Sequence, residues 1–372
     1  MNFEKVKIVD LPDYDDGAKV RPTDISDRQN FHADRLDFDK IPVIDIGAML
    51  GDDEQAKKAT AKQIRDAAVN VGFFYVKNHG VSEDVIEAAH ETATRFYDLP
   101  TDIKCQYDVK KTKRHKGYVP VGGLSADPTI VDLQEGYEVG LELSEDDPDH
   151  LAGNALLGPN VWPDEMPEFQ RDIYRYFEEA MGLGKRLYRL FALAVDMPED
   201  YFEPLITKPC AQLRILYYPD TDPKDAKVGI GAHTDYESFT LLWQTQQGLQ
   251  VQNRAGQWIE APPIPGTFII NIGDMMMRWT NDLFVSTPHR VLNTSGRKRY
   301  SMALFFAANH DTIVECLPTC KSDANPAKYP PTHFGYWIEN MHSYSYAYRW
   351  NERGILPDPE EAAQDILAAR QQ

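Results

Sequence analysis

The first half of the chain carries its hydrophobic residues at helical spacing. Ile64, Ala67, Ala68 and Val71 recur at i, i+3, i+4 and i+7, and Gly72 follows where a helix would end. The same period occurs twice more, at Ile86, Ala89, Ala93 and Phe96 and then at Phe169, Ile173, Phe177, Ala180, Leu187 and Phe191, with Gly182 and Gly184 as candidate interruptions. Short apolar runs at 41–46 and 73–76 predict strands.

The pattern changes between about Gln212 and Asn309. Short aromatic and β-branched runs follow one another there, at Leu213–Tyr218, Phe239–Gln244, Leu249–Val251, Phe268–Asn271, Arg290–Leu292 and Tyr300–Phe306. Gly, Pro, Asn or Asp separate most of these runs, and we predict no helix between them. This spacing is typical of an antiparallel sandwich or barrel. Because a last helix is predicted from Pro359 to about Arg370, the predicted fold class is α+β, with helices before and after a β core.

These patterns predict one domain preceded by an arm. Residues 1–40 are polar and weakly patterned, and we interpret them as an N-terminal arm. Residues 41–372 form the domain, with a helical part at 41–205, the β core at 206–315 and a C-terminal segment and helix at 316–372. The C-terminal segment is rich in aromatic residues. We expect it to pack on the core, and the alternative is that it covers a cavity there.

The composition excludes several classes of partner. The 372 residues include 58 Asp and Glu against 39 Lys and Arg, a formal charge of −19, whereas a protein that neutralises phosphates needs a basic face. We therefore expect neither nucleic acid nor an anionic membrane surface as a partner. Four cysteines without a C-x-x-C pair indicate reduced thiols, and no run reaches the length of a membrane span. The expectation is a soluble, cytoplasmic protein, and its oligomeric state stays open.

Three side chains of the β core form a candidate metal site. His233 and Asp235 stand two positions apart, so on an extended strand they point to the same face. His289, brought in by a neighbouring strand, would complete a 2-His-1-carboxylate set, which suits Fe(II) and leaves positions open for a co-substrate and O₂. The alternative is a surface His beside a turn-forming Asp, since one chance H-x-D is expected and another occurs at His32–Asp34.

A candidate anion site lies ten residues beyond His289. Arg299 and Ser301 share one strand face with Ala303 and Phe305. Arg presents a planar fork that matches a carboxylate, and the Ser hydroxyl adds a further hydrogen bond. Because an unpaired buried charge is costly, an inward Arg requires an anion. A carboxylate of the protein itself is the alternative, but beside a metal triad a dicarboxylate co-substrate is favoured.

The sequence resembles the isopenicillin N synthase-like family of Fe(II)/2-oxoglutarate-dependent dioxygenases from about Ile41 to Tyr348. The shared motifs, in family order, are Ile41–Asp45, Gly72–Gly80, Phe96–Pro100, Leu216–Pro219, His233–Asp235, Asn271–Asp274, His289 and Arg299–Ser301. Within the family the pattern is most similar to thymine 7-hydroxylase and the microbial ethylene-forming enzyme. The resemblance implies a double-stranded β-helix, or jelly roll, flanked by N-terminal and C-terminal helices.

The family pattern also implies roles for single residues. It makes the three residues of the candidate metal site the iron ligands. It assigns Arg299 and Ser301 to the far carboxylate of 2-oxoglutarate, and it places Tyr218 where plant members have a co-substrate contact. One position departs from the pattern, because Leu216 stands where those members commonly have Asn. The usual hydrogen bond to the keto-acid end is then missing, and the orientation of the co-substrate stays open.

The relatives with the most similar pattern use the positions of Arg214, Tyr236 and Phe305 in the substrate or co-substrate pocket. Strand alternation independently places Arg214 on one face with Leu216, and Phe305 on one face with Ser301. We expect Arg214 to offer charge or hydrogen bonds to a polar substrate, and Phe305 to offer a stacking face. The alternative for Phe305 is packing in the core.

The reaction implied by the resemblance is oxidation, above all hydroxylation, of an unactivated C–H bond in a small polar molecule, with release of succinate and CO₂. Two alternatives remain open. A family oxidase would activate O₂ without 2-oxoglutarate and use the Arg-x-Ser pair for a carboxylate of its substrate. A jelly-roll binding protein would perform no redox chemistry. The sequence leaves the substrate open, and also the choice between hydroxylation, desaturation and cyclisation.

Overall fold

The computed structural model describes residues 40–112, 114–123, 132–220, 228–293, 295–346, 348–349 and 354–370. The arm predicted for residues 1–40 lies outside these ranges except for Lys40. The helices are α1 (Glu54–Asn70), α2 (Glu83–Tyr97), α3 (Thr101–Lys104), α4 (Val109–Thr112), α5 (Pro148–Leu151), α6 (Pro167–Ala194), α7 (Asp274–Trp279), α8 (Phe334–Ser345) and α9 (Pro359–Arg370). None of these described helices has the length and apolar character that crossing a bilayer requires.

The strands begin within the helical part and dominate the second half of the chain. They are β1 (Val43–Asp45), β2 (Phe73–Lys77), β3 (Gly117–Val119), β4 (Glu135–Gly140), β5 (Gln212–Tyr218), β6 (Val228–His233), β7 (Phe239–Gln244), β8 (Leu249–Gln252), β9 (Trp258–Glu260), β10 (Thr267–Ile272), β11 (His289–Leu292), β12 (Arg299–Phe306), β13 (Ile313–Val314) and β14 (Thr332–His333). All six runs predicted as strands of the β core are strands.

Two sheets form the core. The larger has eight strands in the order β1-β2-β10-β7-β12-β5-β4-β3, of which only β1 and β2 are parallel neighbours. The smaller is antiparallel, in the order β6-β11-β8-β9. One buried apolar cluster takes side chains from both sheets, namely Phe73, Tyr75, Leu216, Tyr218 and Ile269 from the larger and Leu249, Val251 and Val291 from the smaller. The α+β jelly roll expected from the sequence is confirmed.

The helices cover the other face of the larger sheet. Because side chains alternate along a strand, Phe74 and Val76 of β2 pack with the helices, whereas Phe73 and Tyr75 point between the sheets. The apolar stripes predicted for α1, α2 and α6 are the buried faces of those helices. The space between the two sheets is therefore left for the site.

Two local predictions were wrong. Helix α6 runs without interruption through Gly182 and Gly184. A Cβ at Gly184 would lie 2.0 Å from the ring of Phe306 on β12, so this glycine allows the helix to approach the sheet and does not end it. The helix α7 lies within the β core, where no helix was predicted. It has only six residues, too few to display a helical period.

Candidate active site

The three residues of the candidate metal site meet between the sheets. β6 ends at His233 and β11 begins at His289, and the antiparallel register places these two residues opposite each other. Asp235 follows two positions after His233. The Nε2 atoms of both histidines lie 3.6 Å from Oδ1 of Asp235. One donor atom from each residue lies within 4.8 Å of the other two, so the group could hold a metal ion.

Backbone carbonyls fix the orientation of both imidazoles. Nδ1 of His233 lies 2.8 Å from the carbonyl oxygen of Gly231, and Nδ1 of His289 lies 3.2 Å from that of Thr287. Since a carbonyl only accepts, each Nδ1 carries a proton, and each Nε2 points to the centre. Burial and the neighbouring His289 lower the pKa of His233 to about 4. The imidazole of His233 is therefore neutral near pH 7, which is the form that binds metals.

Asp235 is held by two neighbouring strands of the larger sheet. Its Oδ2 accepts a hydrogen bond of 2.7 Å from Nδ2 of Asn271 on β10 and a second from the hydroxyl of Thr240 on β7. Burial raises the pKa of Asp235, but His289, His233 and these hydrogen bonds outweigh burial, and the pKa is lowered overall. Asp235 is thus a carboxylate whose Oδ1 is free to serve as a ligand.

The motif Asn271–Asp274, which the chain shares with the family, supports Asp235. Asn271 faces Thr240 in the register of β10 and β7, which brings both side chains to Asp235. A Cβ at Gly273 would lie 2.1 Å from the carbonyl oxygen of Glu237, so only glycine fits there. The next residue, Asp274, donates its backbone N–H to the carbonyl oxygen of Asp235. The functional role of Asn271 could have been inferred from the sequence, because Asn271 is a polar residue at an inward-facing position of an otherwise apolar strand.

The candidate anion site lies on β12 and β5. Arg299 pairs with Tyr218 in the register of these strands, and its side chain is completely buried. Its guanidinium donates to Oε1 of Gln244 and to the carbonyl oxygen of Gln246, and it lies 4.6 Å from the ring centre of Tyr218. Burial lowers the pKa of Arg299. No carboxylate within the described ranges forms an ion pair with this guanidinium, so no described residue compensates its charge.

The metal site and the anion site share one cavity. Its wall includes all three residues of the candidate metal site, together with Arg214, Leu216, Tyr218, Arg299, Ser301 and Phe305. Leu216 faces this space without a hydrogen-bonding group, as its departure from the family pattern implied. The structure therefore brings together eight of the nine residues singled out from the sequence as site residues, and Tyr236 lines the adjoining space.

The adjoining space continues past His233 and Asp235 and is the candidate substrate side. Arg214 lies there, and its Nε donates to Oε1 of Glu138 at 2.7 Å. Its guanidinium also lies 4.8 Å from the ring centre of Phe305 and donates to the hydroxyl of Tyr346. Burial lowers the pKa of Arg214, but Glu138 and Tyr346 outweigh burial and raise it overall. This arginine is already paired inside the protein.

The C-terminal segment supplies part of this wall, contrary to the preference for simple packing. His342, Ser345 and Tyr346, at the end of α8 and just beyond, line the space. The hydroxyl of Tyr236 lies 2.7 Å from Oγ of Ser345 and so joins the metal-site loop to α8. Glu237, which sequence reasoning missed, also faces the space, and burial together with Asp235 raises its pKa to about 8.

Known protein families match most of the β core of this chain and most of its helical part. A family model described as "non-haem dioxygenase in morphine synthesis N-terminal" matches residues 41–165, and one described as "2OG-Fe(II) oxygenase superfamily" matches residues 209–308. The 2-oxoglutarate-Fe(II) type oxidoreductase hxnY of Emericella nidulans is 35% identical over 82% of this chain and 90% of its own length. The chain belongs to the 2OG-Fe(II) oxygenase superfamily.

Other members of the superfamily support the same assignment. A homoarginine-6-hydroxylase of Glycine max is 34% identical over 78% of this chain and 92% of its own length. The crystal structure of the thymine 7-hydroxylase of Neurospora crassa with α-ketoglutarate and thymine is 31% identical and covers 80% of this chain and 95% of that chain, with a TM-score of 0.71. The family inferred from the sequence motifs is confirmed, and with it the Fe(II) and 2-oxoglutarate dependence.

This 2OG-Fe(II) oxygenase is therefore an enzyme that depends on 2-oxoglutarate. The two alternatives, a binding protein and an oxidase that works without 2-oxoglutarate, are not adopted. Its residues fit both groups that the family uses. Two imidazoles and one carboxylate match Fe(II), and a buried guanidinium that has no carboxylate partner among the described residues matches the free end of a dicarboxylate.

Proposed function

We propose that this oxygenase hydroxylates an unactivated C–H bond of a small polar molecule and that His233, Asp235 and His289 are its iron ligands. The observation that carries the proposal is the shared cavity. Its wall holds a 2-His-1-carboxylate group and, in the same space, a buried guanidinium that lacks an anionic partner among the described residues. A metal site without that second feature would suit many kinds of chemistry; the two together suit a 2-oxo diacid.

In this proposal Arg299, Ser301 and Tyr218 hold the far carboxylate of 2-oxoglutarate. The guanidinium and the two hydroxyl groups lie on adjacent antiparallel strands, so the sheet fixes their spacing. Charge-assisted hydrogen bonds in a buried site are strong and directional. Because Leu216 offers no hydrogen bond to the other end of the co-substrate, Arg299 carries more of its orientation.

Bound Fe(II) supplies the oxidative chemistry, which couples conversion of 2-oxoglutarate to succinate and CO₂ with oxidation of the substrate. The protein's own residues position the reactants and exclude water. Leu216, Ile230 and Val291 form apolar parts of the cavity wall around the polar groups. They limit the water that reaches the reacting centre.

The substrate would bind on the side of Arg214, Tyr236 and Phe305. These residues offer N–H donors, a hydroxyl group and an aromatic ring within one space. Such a combination of polar groups and an aromatic face suits a small polar molecule. Two relatives act on or bind such molecules, since one is a homoarginine-6-hydroxylase and the structure of another contains thymine. We propose the same size class of substrate for this chain.

We also propose a cytoplasmic location and no nucleic-acid partner. All four cysteines are free thiols, as is typical of a reducing compartment. The formal charge of −19 opposes binding to phosphate backbones.

Succinate release measured against a library of small polar metabolites, under air with Fe(II) and 2-oxoglutarate, tests the function. Substrate-dependent succinate in a one-to-one ratio to oxidised product is the expected result. His233→Ala should lower turnover more than about a hundredfold because a metal ligand is lost. His150→Ala, at a histidine that contacts Glu145 outside the cavity, is the control and should keep full activity. Full activity of His233→Ala would contradict the ligand assignment.

A further inference from the structure

Gln244 lies behind the guanidinium of Arg299. It is the last residue of β7, is 6% exposed and faces Ser301 in the register of β7 and β12. Its Oε1 accepts from Nη2 of Arg299 at 2.6 Å, and its Nε2 donates to the carbonyl oxygen of Ala261 at 2.7 Å. The orientation of the amide follows from these partners, because a guanidinium only donates and a carbonyl only accepts.

The remaining contacts leave Arg299 oriented but still charged. A guanidinium has five N–H groups. Nε uses its only N–H on the carbonyl oxygen of Gln246 at 3.2 Å, and Nη2 uses one on Gln244. Nη1 has a long contact of 3.5 Å with Oγ of Ser301. The guanidinium also forms a hydrogen bond with the side chain of Tyr218. Because all four partners are neutral and there are five N–H groups, at least one N–H group remains for a carboxylate, and these contacts do not cancel the positive charge.

We infer that Gln244 is a positioning residue that holds Arg299 at one depth in the cavity and leaves its positive charge uncompensated. Gln244 thereby sets the length of the 2-oxo diacid that the enzyme accepts. The inference rests on the proposed role of Arg299 as the carboxylate anchor. A longer diacid, such as 2-oxoadipate, carries one more methylene group between its 2-oxo acid end and its far carboxylate. It can be accommodated only if the guanidinium moves, and Gln244 opposes that movement.

Two substitutions at position 244 test separate properties of the glutamine side chain, its lack of charge and its acceptor oxygen. Glutamate at 244 would have the same size and would still accept from Arg299, but it would neutralise the guanidinium and repel the co-substrate carboxylate. Methionine would have a similar length but no acceptor oxygen, so Nη2 would be released and Arg299 could change its rotamer. The two variants therefore separate the effect of charge from the effect of position.

Calorimetric titration of the full-length, Fe(II)-loaded protein without O₂ tests the inference with 2-oxoglutarate and 2-oxoadipate as probes. Gln244→Glu should weaken binding of 2-oxoglutarate at least about tenfold. Gln244→Met should weaken it several-fold and should reduce the preference for 2-oxoglutarate over 2-oxoadipate. In steady-state assays the KM for 2-oxoglutarate should rise, while kcat at saturation changes little.

The chain offers a matched control for both substitutions. Gln250 on β8 accepts a hydrogen bond from Nε of Arg290 at 2.9 Å. Because its neighbours Leu249 and Val251 point into the core, Gln250 lies on the outer face of the smaller sheet. Gln250→Glu and Gln250→Met should leave the affinities for both diacids and their ratio unchanged.

Arg299→Gln distinguishes failure of the inference from failure of the proposed function. If Arg299→Gln binds 2-oxoglutarate like the unaltered protein, the proposed anchor is wrong. If Arg299→Gln loses binding while both Gln244 variants bind the two diacids like the unaltered protein, only the inference is overturned. Should Gln244→Glu fail to fold, as judged by its thermal unfolding, the diacid ratio of Gln244→Met decides alone.

Discussion

Asp235 divides its two carboxylate oxygens between different partners. Oδ2 accepts from Asn271 and Thr240, while Oδ1 faces the two imidazoles. Because two strands hold Oδ2, the carboxylate cannot rotate to offer both oxygens to an ion. A ligand that binds through one oxygen leaves more coordination positions open, as a dioxygenase needs for its co-substrate and O₂.

The first residue-scale prediction concerns Asn271. Asn271→Ala should weaken Fe(II) binding about 10- to 100-fold, because Asp235 loses a hydrogen bond that orients it. Anaerobic competition with a chelator measures the affinity. Asn70→Ala, which removes a surface hydrogen bond to the backbone of Asp66, is the control and should bind iron normally. Unchanged iron affinity in Asn271→Ala would show that Thr240 alone suffices to hold the carboxylate.

The face of a strand on which a site residue lies could be predicted from the sequence, because it depends only on the spacing of neighbouring residues. The two-residue spacing of His233 and Asp235, and that of Arg299 and Ser301, determines which face of a strand each side chain occupies. The contacts of Asn271 and Glu138 depend on which strands become neighbours and in which register. Those pairings join residues far apart in the chain, so no local pattern reveals them.

Among the elements, strands with regular alternation were predictable and β6 was not. The run Val228–His233 contains two glycines, which have low strand propensity, and it is held by its pairing with β11. Helix α6 shows the opposite case, since its long apolar stripe was sufficient to predict it. Its glycines were misinterpreted because their effect depends on what the helix packs against.

The two glycines of α6 give a prediction at the scale of the element. A Cβ at Gly184 would collide with the ring of Phe306, whereas one at Gly182 would come no closer than 3.7 Å to the side chain of Arg186. Gly184→Ala should therefore destabilise the fold by about 1–3 kcal/mol through overpacking. Gly182→Ala should stabilise it by about 0.5–1 kcal/mol, because alanine favours the helix. Urea unfolding measures both, and equal effects of the two substitutions would contradict the close contact.

In the molecule as a whole, histidines that are buried in the neutral form link the stability of the fold to pH. His115 stacks on His342 with ring centres 4.3 Å apart. Burial, and the positive charge that the neighbouring His342 would carry, hold the pKa of His115 well below its usual value. Burial and Arg349 do the same for His342. In the unfolded chain both would titrate near pH 6.5.

The sign of the resulting pH dependence is fixed. Below about pH 6.5 the unfolded state binds protons that the folded state does not, so the free energy of unfolding falls by up to about 1.4 kcal/mol per pH unit for each such histidine. His115→Phe keeps the ring but removes one titrating group. Urea unfolding of the metal-free protein between pH 8 and pH 5 should therefore show a smaller loss of stability in this variant. The same slope in both proteins would mean that His115 is protonated in the folded state.

The pairing of Arg214 with Glu138 has a consequence for redesign of the enzyme. Since the guanidinium is neutralised from within, it can direct N–H groups towards a guest molecule without requiring that the guest be an anion. Substitution of either partner alone would leave an unpaired charge in the interior and would destabilise the fold by several kcal/mol. Libraries that aim to retarget this oxygenase should therefore vary positions 138 and 214 together, since scans of one position at a time would discard the useful combinations.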